Sequence, residues 1–164
     1  MSTFNNTATG LQATTKPAAL LELAVFLSEC EKNASTTDNP LNNIAITFDV
    51  EAGSAAIAAT LPIIASLSQL GQIVVSAANY LGAGYVFNGN PNSDIRASHP
   101  PGAFLEMAQL VAVSEQAVTI NPPNNVTISM DLEGSTATIT IALPFTVGTN
   151  ANGQPVIVAT DYLP

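Results

Sequence analysis

The chain has 164 residues, of which 12 are acidic and 3 are basic, so its formal net charge is −9. Its charged fraction of 9 % is far below the roughly 25 % of an average globular protein, while its apolar fraction of 47 % is sufficient for one compact domain with a hydrophobic core. So few basic residues cannot neutralise many phosphate groups, so we expect neither a nucleic acid nor an anionic membrane surface as a partner.

Three features bear on the compartment. The first residues are polar, without a basic segment followed by an apolar one, so the sequence predicts no secretory signal peptide and a cytoplasmic or virion location. Cys30 is the single cysteine, which excludes an intramolecular disulfide. The segment 52–93 has no charged residue, but polar residues and a proline interrupt every window of about 20 residues, so we expect no membrane span.

The first half of the chain predicts one helix. It begins near Pro17, because proline is tolerated in the first helical turn, where its missing N–H has no intrahelical partner. Apolar residues then recur at helical spacing at Leu20, Leu23, Leu27 and Cys30. A polar loop over 33–39 leads from this helix to the strands.

Three strands are predicted after the helix. Residues 44–51 alternate as a half-exposed antiparallel strand does. The residues predicted to face inward are Ile44, Ile46, Phe48 and Val50. A turn over 52–54 leads to the second strand, 55–61, and Pro62 reduces its continuation to an edge or a bend, because proline donates no hydrogen bond to a ladder. The third strand is predicted over 73–81.

The same pattern returns in the second half at a fixed offset. Residues 39–81 align with residues 121–163 without a gap, 82 positions on, and 17 of the 43 pairs are identical, where chance gives about three or four. The helix returns at an offset of 84, beginning near Pro101. An internal repeat is therefore the main architectural signal.

We predict an α+β fold in which an α-β-β-β unit occurs twice, as repeat 1 (about 1–82) and repeat 2 (about 83–164). One such unit of about 80 residues has a thin core. The two copies are therefore expected to pack about a pseudo-twofold axis into a single pseudodimeric domain. Either a six-stranded antiparallel sheet under two helices or two sheets packed face to face would satisfy this expectation.

The acidic pairs Asp49 with Glu51 and Asp131 with Glu133 are the one charged constellation that the repeat preserves. Residues i and i+2 of a strand share a face. Each pair therefore offers oxygen ligands to a hard cation such as Ca²⁺ or Mg²⁺, and the four carboxylates would converge if the axis ran between the copies. A Ca²⁺ site needs about six to eight oxygens, so we interpret the pairs as solvent-facing charges beside a turn and predict no metal ligand.

The sequence predicts no catalytic residue and no cofactor site. His99 is the single histidine and has the chemistry of a general base, but it precedes two prolines and is interpreted as a surface loop residue. Cys30 lies on the apolar stripe of the first helix, and no serine lies in a nucleophile elbow. No phosphate-binding loop, dinucleotide-binding glycine pattern or zinc-ligand spacing occurs. These absences argue against an enzyme without excluding one.

Two further repeated features have structural interpretations. Paired asparagines at 42–43 and 124–125 open the first strand of each unit, where their side chains are expected to bond nearby backbone groups. Tyr80 and Tyr162 end the units, and they are predicted either at the edge of the core or as anchors of an interface.

Two functions from different classes remain. The first is a structural assembly protein, such as a capsid-decorating or tail protein of a virion, that forms a homo-oligomer or a larger protein assembly through the neutral face of the second strands. That face carries small uncharged residues where a solitary strand normally carries charges: Ala56, Ala58, Thr60, Thr138, Thr140 and Ala142. The alternative is a small-molecule binding module or enzyme with a cavity between the two repeats.

Overall fold

The computed structural model describes residues 3–7 and 9–164, and it has two helices and one six-stranded antiparallel sheet. The elements follow in the order α1, Lys16–Ala34; β1, Ile44–Asp49; β2, Ser54–Leu67; β3, Ile73–Ala77; α2, Pro100–Gln116; β4, Val126–Asp131; β5, Thr136–Thr149; and β6, Pro155–Ala159. The predicted α+β class is confirmed, and of the two arrangements considered the chain adopts the single sheet. Equivalent strands begin 82 positions apart, while internal duplication itself stays a prediction.

The long strands β2 and β5 form the centre of the sheet, whose order is β1-β2-β5-β4. They pair antiparallel from Ser54 with Pro144 to Pro62 with Thr136, and the middle pair of this ladder is Ala58 with Thr140. The two middle residues also lie 82 positions apart, so the ladder treats the two halves of the chain equivalently.

Each long strand extends beyond the central ladder and takes a second partner. Residues 63–67 of β2 pair with β3, and residues 145–149 of β5 pair with β6. Because β2 and β5 run in opposite directions, the two extensions project from opposite ends of the sheet. We call residues 63–77 the first hairpin and residues 145–159 the second hairpin.

Pro62 lies where β2 changes partner, and the strand continues through it. The ladder with β1 ends with the hydrogen bond from Thr60 N to Asn43 O, and the pairing with β3 begins with the bond from Ala78 N to Pro62 O. Between these two hydrogen bonds neither β1 nor β3 places a carbonyl oxygen opposite the nitrogen of Pro62, so its missing N–H costs nothing there. The second strand therefore ends at residue 67 instead of the predicted 61, and its extension pairs with β3 as an edge.

Both helices pack on one face of the sheet and enclose a core shared by the two halves. Alternate residues of the long strands point toward the helices and are buried, among them Ile57, Leu61, Ile139 and Leu143. The helices contribute Leu20, Leu23 and Leu27 of α1, which the sequence predicts, together with Phe104, Met107 and Val111 of α2. Each fully buried side chain of this kind contributes about 1.5–3 kcal/mol, so this layer is the main source of stability.

The ends of the shorter strands differ from the prediction. Phe48 keeps its inward orientation and packs on Phe145, with ring centroids 5.9 Å apart, but it is 39 % exposed because β1 is an edge strand. Val50 lies in the turn that follows β1 and is exposed, so its predicted inward position is wrong. β3 ends at residue 77 instead of the predicted 81, because the chain leaves the ladder there and carries Tyr80 to the end of α1.

Candidate functional site

The face of the sheet turned away from the helices is uncovered, and we call it the open face. It is formed by the residues of the four central strands that alternate with the buried ones. The six residues at its centre are all exposed as predicted, namely Ala56, Ala58, Thr60, Thr138, Thr140 and Ala142. Neither helix therefore covers this part of the sheet.

The registers between strands arrange the open face in rows of small side chains. The central row runs from β1 to β4 through Ala45, Ala58, Thr140 and Thr127. The rows on either side contain Thr47, Ala56 and Ala142 on one side, and Thr60, Thr138 and Ser129 on the other. The charges of this face are restricted to Asp49 and Asp131, at the corners where β1 and β4 end.

The two acidic pairs lie apart. β1 and β4 are the opposite edges of the central sheet, roughly 14 Å from each other at about 4.8 Å per strand, so the four carboxylates do not converge. Asp49 Oδ1 accepts a hydrogen bond from Ala52 N at 3.1 Å, and Asp131 Oδ1 accepts one from Gly134 N at 3.0 Å. Each aspartate is thus the acceptor of its own turn, which accounts for its recurrence.

Two buried glutamates are the polar groups that the sequence analysis missed. Glu31 lies in the last turn of α1 and is 3 % exposed. Its carboxylate accepts hydrogen bonds from Asn43 N at 3.1 Å, from Ile44 N at 3.3 Å and from the Tyr80 hydroxyl. One side chain therefore fastens together the end of the helix, the start of β1 and the segment that follows β3.

Glu115 makes the same contacts in the second half of the chain and is 2 % exposed. Its carboxylate accepts from Asn125 N at 3.1 Å, from Val126 N at 3.2 Å and from the Tyr162 hydroxyl at 2.6 Å. A signal for both residues exists in the sequence, because each glutamate lies four positions after an apolar stripe residue and therefore on the buried side of its helix.

The tyrosines that end the units donate hydrogen bonds from their hydroxyls to the buried glutamates. Burial, followed by the hydrogen bond to the adjacent glutamate, raises the pKa of Tyr80 and of Tyr162 well above the ordinary value. Both hydroxyls therefore stay protonated and donate. Burial together with nearby Glu29 also raises the pKa of Cys30, which keeps that thiol protonated and unreactive at neutral pH.

His99 is the N-cap of α2 and not a free loop side chain. Its Nδ1 accepts a hydrogen bond from Gly102 N at 3.1 Å, so the neutral ring carries its proton on Nε2. A Cβ on Gly102 would lie 2.8 Å from His99 Cε1, which explains glycine in the first turn. Thr15 caps α1 in the same way. It lies 84 positions earlier, which is the offset between the two helices, so Thr15 is the equivalent of His99. Desolvation lowers the pKa of His99.

Two of the grooves between the halves lie at opposite ends of the sheet. The first has a volume of about 350 Å³ between β3 and the start of α2, and its polar lining includes Ser76, Arg96, His99 and Gln109. We call it the polar groove. The second has a volume of about 560 Å³ between β6 and α1, and its apolar lining includes Leu21, Val25, Phe48 and Val158. We call it the apolar groove.

The polar side chains of the polar groove bind the local backbone. The Nδ1 atom of His99 is occupied by the helix cap. The carboxylate of Glu106 accepts hydrogen bonds from Arg96 N at 2.6 Å and Ala97 N at 3.2 Å, so it holds the loop before the helix. The start of α2 has two prolines without N–H groups, and the N–H of Gly102 is already bonded, so this helix end has no amide to offer an anion.

Within the part of the chain that the structure describes, no three His, Cys, Asp or Glu side chains are grouped so that they could hold a metal ion. Among residues 3–7 and 9–164, no helix has the length and apolar character needed to cross a membrane. No protein family matches the chain, and neither a curated protein nor a solved structure shows significant similarity to it.

Replacing Glu31 by alanine should strongly destabilise the fold. The change leaves two backbone N–H groups and the Tyr80 hydroxyl without their acceptor. We expect the free energy of unfolding in urea to fall by about 3 kcal/mol or more. Glu31→Gln keeps one acceptor oxygen and should cost roughly 1–2 kcal/mol. The control is Glu29→Ala, an exposed residue of the same helix. Equal effects of the two alanine variants would contradict the role assigned to Glu31.

The cap at His99 should make stability fall as the pH drops below about 6.5. Its pKa is lower in the folded state than the value of about 6.5 in an unfolded chain, so folding releases a proton. This contribution to stability is complete above about pH 6.5, and it declines as the pH falls from there toward the folded-state pKa. His99→Thr copies the cap of α1 and should remove this decline. Urea unfolding of both proteins across the range measures it, and an unchanged decline in the variant would refute it.

Substitution of the turn aspartates should have little effect. Asp49→Asn and Asp131→Asn keep an acceptor oxygen for the turn, and exposed charges contribute only about 0–1 kcal/mol. We expect melting temperatures close to that of the unmodified chain, with no rise in millimolar Ca²⁺. If Ca²⁺ raised the melting temperature of the unmodified chain and not of these variants, the aspartates would be cation ligands.

Proposed function

We propose that the protein is a structural assembly protein that binds other protein chains, foremost copies of itself, through the open face. The observation that supports this proposal is the composition of an uncovered sheet. The six central residues of the open face are exposed and have no charge among them. A sheet face that stays in water normally carries charged residues, and edge strands carry them especially.

The distribution of charge over the rest of the molecule supports the same function. The chain has twelve acidic residues, yet on the open face only Asp49 and Asp131 are charged, and they lie at opposite corners. Two copies can therefore bring their centres together without placing like charges opposite each other. The cores of protein interfaces are depleted of charge in this way.

The area of the open face is smaller than the area that a stable protein interface needs. Four strands of six paired residues have a flat footprint of about 400 Å², from about 4.8 Å per strand and 3.4 Å per residue. A standard interface buries about 800 Å² per partner. A stable assembly, for which we expect a contact of more than about 1,000 Å² in total, therefore requires a second contact beyond the open face.

Within this function, a virion component such as a capsid-decorating or tail protein is the specific role that we propose. Small β-rich chains with neutral contact surfaces suit a shell or tube in which every copy is covered by its neighbours. The support for this role is compositional, namely the Ala- and Thr-rich face and the charge-free segment 52–93.

A second candidate is a small-molecule binding module. The observation that favours it is the pair of grooves between the halves, whose volumes of about 350 and 560 Å³ fall in the usual range for ligand sites. A chain that stays monomeric at high concentration, and whose melting temperature rises with an apolar small molecule, would favour this candidate over the first.

Lysine at both Ala58 and Thr140 should disrupt assembly and leave folding nearly unchanged. These two residues are paired at the centre of the open face, so the variant places two adjacent positive charges where two chains meet. We expect the dissociation constant to rise roughly a hundredfold or more, while the free energy of unfolding changes by about 0.5 kcal/mol or less. Multi-angle light scattering and urea unfolding measure the two effects.

The matched control is Asn33→Lys with Gln116→Lys, which adds the same charge at exposed positions near the ends of the two helices. It should assemble like the unmodified chain. Normal assembly of the Ala58 and Thr140 variant, or a monomeric unmodified chain at high concentration, would show that the open face is not an assembly surface.

A further inference from the structure

The two hairpins have the same pairing and both expose valines along their strands, namely Val74 in the first and Val147, Val156 and Val158 in the second, but their tips have opposite surface chemistry. Around the tip of the first hairpin, Leu67 is 73 % exposed, Leu70 is 85 % exposed and Ile73 is 64 % exposed. The equivalent positions of the second hairpin, 82 residues later, carry Thr149, Asn152 and Pro155. The hairpin fold therefore does not require apolar residues at these positions, and their clustering on one hairpin marks a contact surface.

The two grooves also differ in polarity, and the more polar groove lies beside the hairpin with the apolar tip. Where the polar groove has Ser76 and Gln109, the equivalent positions of the apolar groove are Val158 and Val25. Arg96 of the polar groove likewise corresponds to Gln12, and Phe48 adds a half-exposed ring to the apolar groove. The structure thus combines two halves with the same framework and two grooves of contrasting character.

These differences give the molecule two unlike ends. The apolar first hairpin and the polar groove share β3 and lie at one end of the sheet. The second hairpin, which is polar at its tip, and the apolar groove share β6 and lie at the other end. At each end the hairpin tip and the groove therefore differ in polarity. The apolar tip of the first hairpin matches the apolar groove at the other end, and the polar tip of the second hairpin matches the polar groove.

We infer that copies of this chain join end to end, with the first hairpin of one copy in the apolar groove of the next and the second hairpin of that copy in the polar groove of the first. This inference rests on the proposed assembly function and supplies the second contact that the open face requires. The occupant is a second copy because both members of each matching pair are present on one chain. The contact is heterologous, so it propagates into a ring or a filament.

The same asymmetry disfavours the wrong contacts. Two identical ends that met would place Leu67, Leu70 and Ile73 against Arg96 and Gln109, or would place the threonines and asparagines of the second hairpin against Val25 and Phe48. Polar groups would lose water without gaining partners in both cases. Only unlike ends pair apolar with apolar and polar with polar surface, so the junction has a defined direction.

The test uses two variants in which exposed residues are exchanged for their equivalents in the other half. The hairpin variant is Ile64→Thr, Leu67→Thr and Leu70→Asn, which copies the residues at 146, 149 and 152 of the second hairpin; Ile64 is a further exposed apolar residue of the first hairpin. The groove variant is Val25→Gln and Val158→Ser, which copies the polar groove. In light scattering, each variant alone should stop at a dimer joined through the open faces, whereas the unmodified chain forms larger species. A mixture of the two variants should regain the larger species, because the intact hairpin of one still fits the intact groove of the other.

The outcomes separate this inference from the proposed function. Larger species from either variant alone, a mixture that stays dimeric, or an unmodified chain that stops at a dimer would overturn end-to-end joining and leave the open-face contact standing. An unmodified chain that stays monomeric would refute the proposed function, and this inference with it.

Circular dichroism checks whether the variants fold. If the triple variant does not fold, Leu70→Asn alone replaces it, because Leu70 is the most exposed of these positions. That single variant should weaken assembly beyond the dimer at least tenfold, and normal assembly would count against the inference.

Discussion

The structure depends on two buried carboxylates, Glu31 and Glu115. Each accepts hydrogen bonds from two consecutive backbone N–H groups at the start of a strand and from a tyrosine hydroxyl that arrives about 50 residues later in the chain. A backbone segment that enters a core leaves polar groups to satisfy, and a carboxylate satisfies several at once because it has two oxygens and no hydrogen to place. The helices are thereby fixed on the sheet at a defined angle and distance, and the long strands can bury their apolar faces beneath them.

This role changes the meaning of the acidic composition. At least seven of the twelve carboxylates accept hydrogen bonds from backbone N–H groups: Glu22, Glu31, Asp49, Asp94, Glu106, Glu115 and Asp131. The net charge of −9 is therefore in large part a consequence of how loops and strand starts are tied to the helices. The net charge does not distinguish carboxylates that bind the backbone from carboxylates that are free to bind a ligand. The net charge of this chain therefore gives little information on the charge of its ligands.

Periodicity predicted the helices, the order of the strands and the inward residues of the long strands, because these are set by neighbours a few positions apart. The continuation of β2 through Pro62 was not predictable in the same way, since it depends on where β1 stops and β3 starts across the sheet. The cap role of His99 was not predicted, because its equivalent Thr15 lies at the helix offset of 84 and has a different side chain. The role of Glu31 was not predicted, because its place on the apolar side of the helix indicates burial but not its hydrogen-bond partners. Its backbone partners lie at the start of β1. The open face was predicted residue by residue, whereas the grooves required the packing of β3 and β6 against the helices.

The central ladder has a consequence for how the chain reaches this structure. It joins residues 54–62 to residues 136–144, so its contacts close loops of 74 to 90 residues, and such distant pairing slows folding. During synthesis β2 can pair with β1 and β3 on one side, but its other edge has no partner until β5 has emerged, so that edge stays unprotected. The register that joins β2 to β5 within one chain is equally available between two chains, with residues 82–99 as the connecting segment. Newly made chains at high local concentration can therefore exchange halves, and the swapped dimer would contain the same ladder without a single new contact.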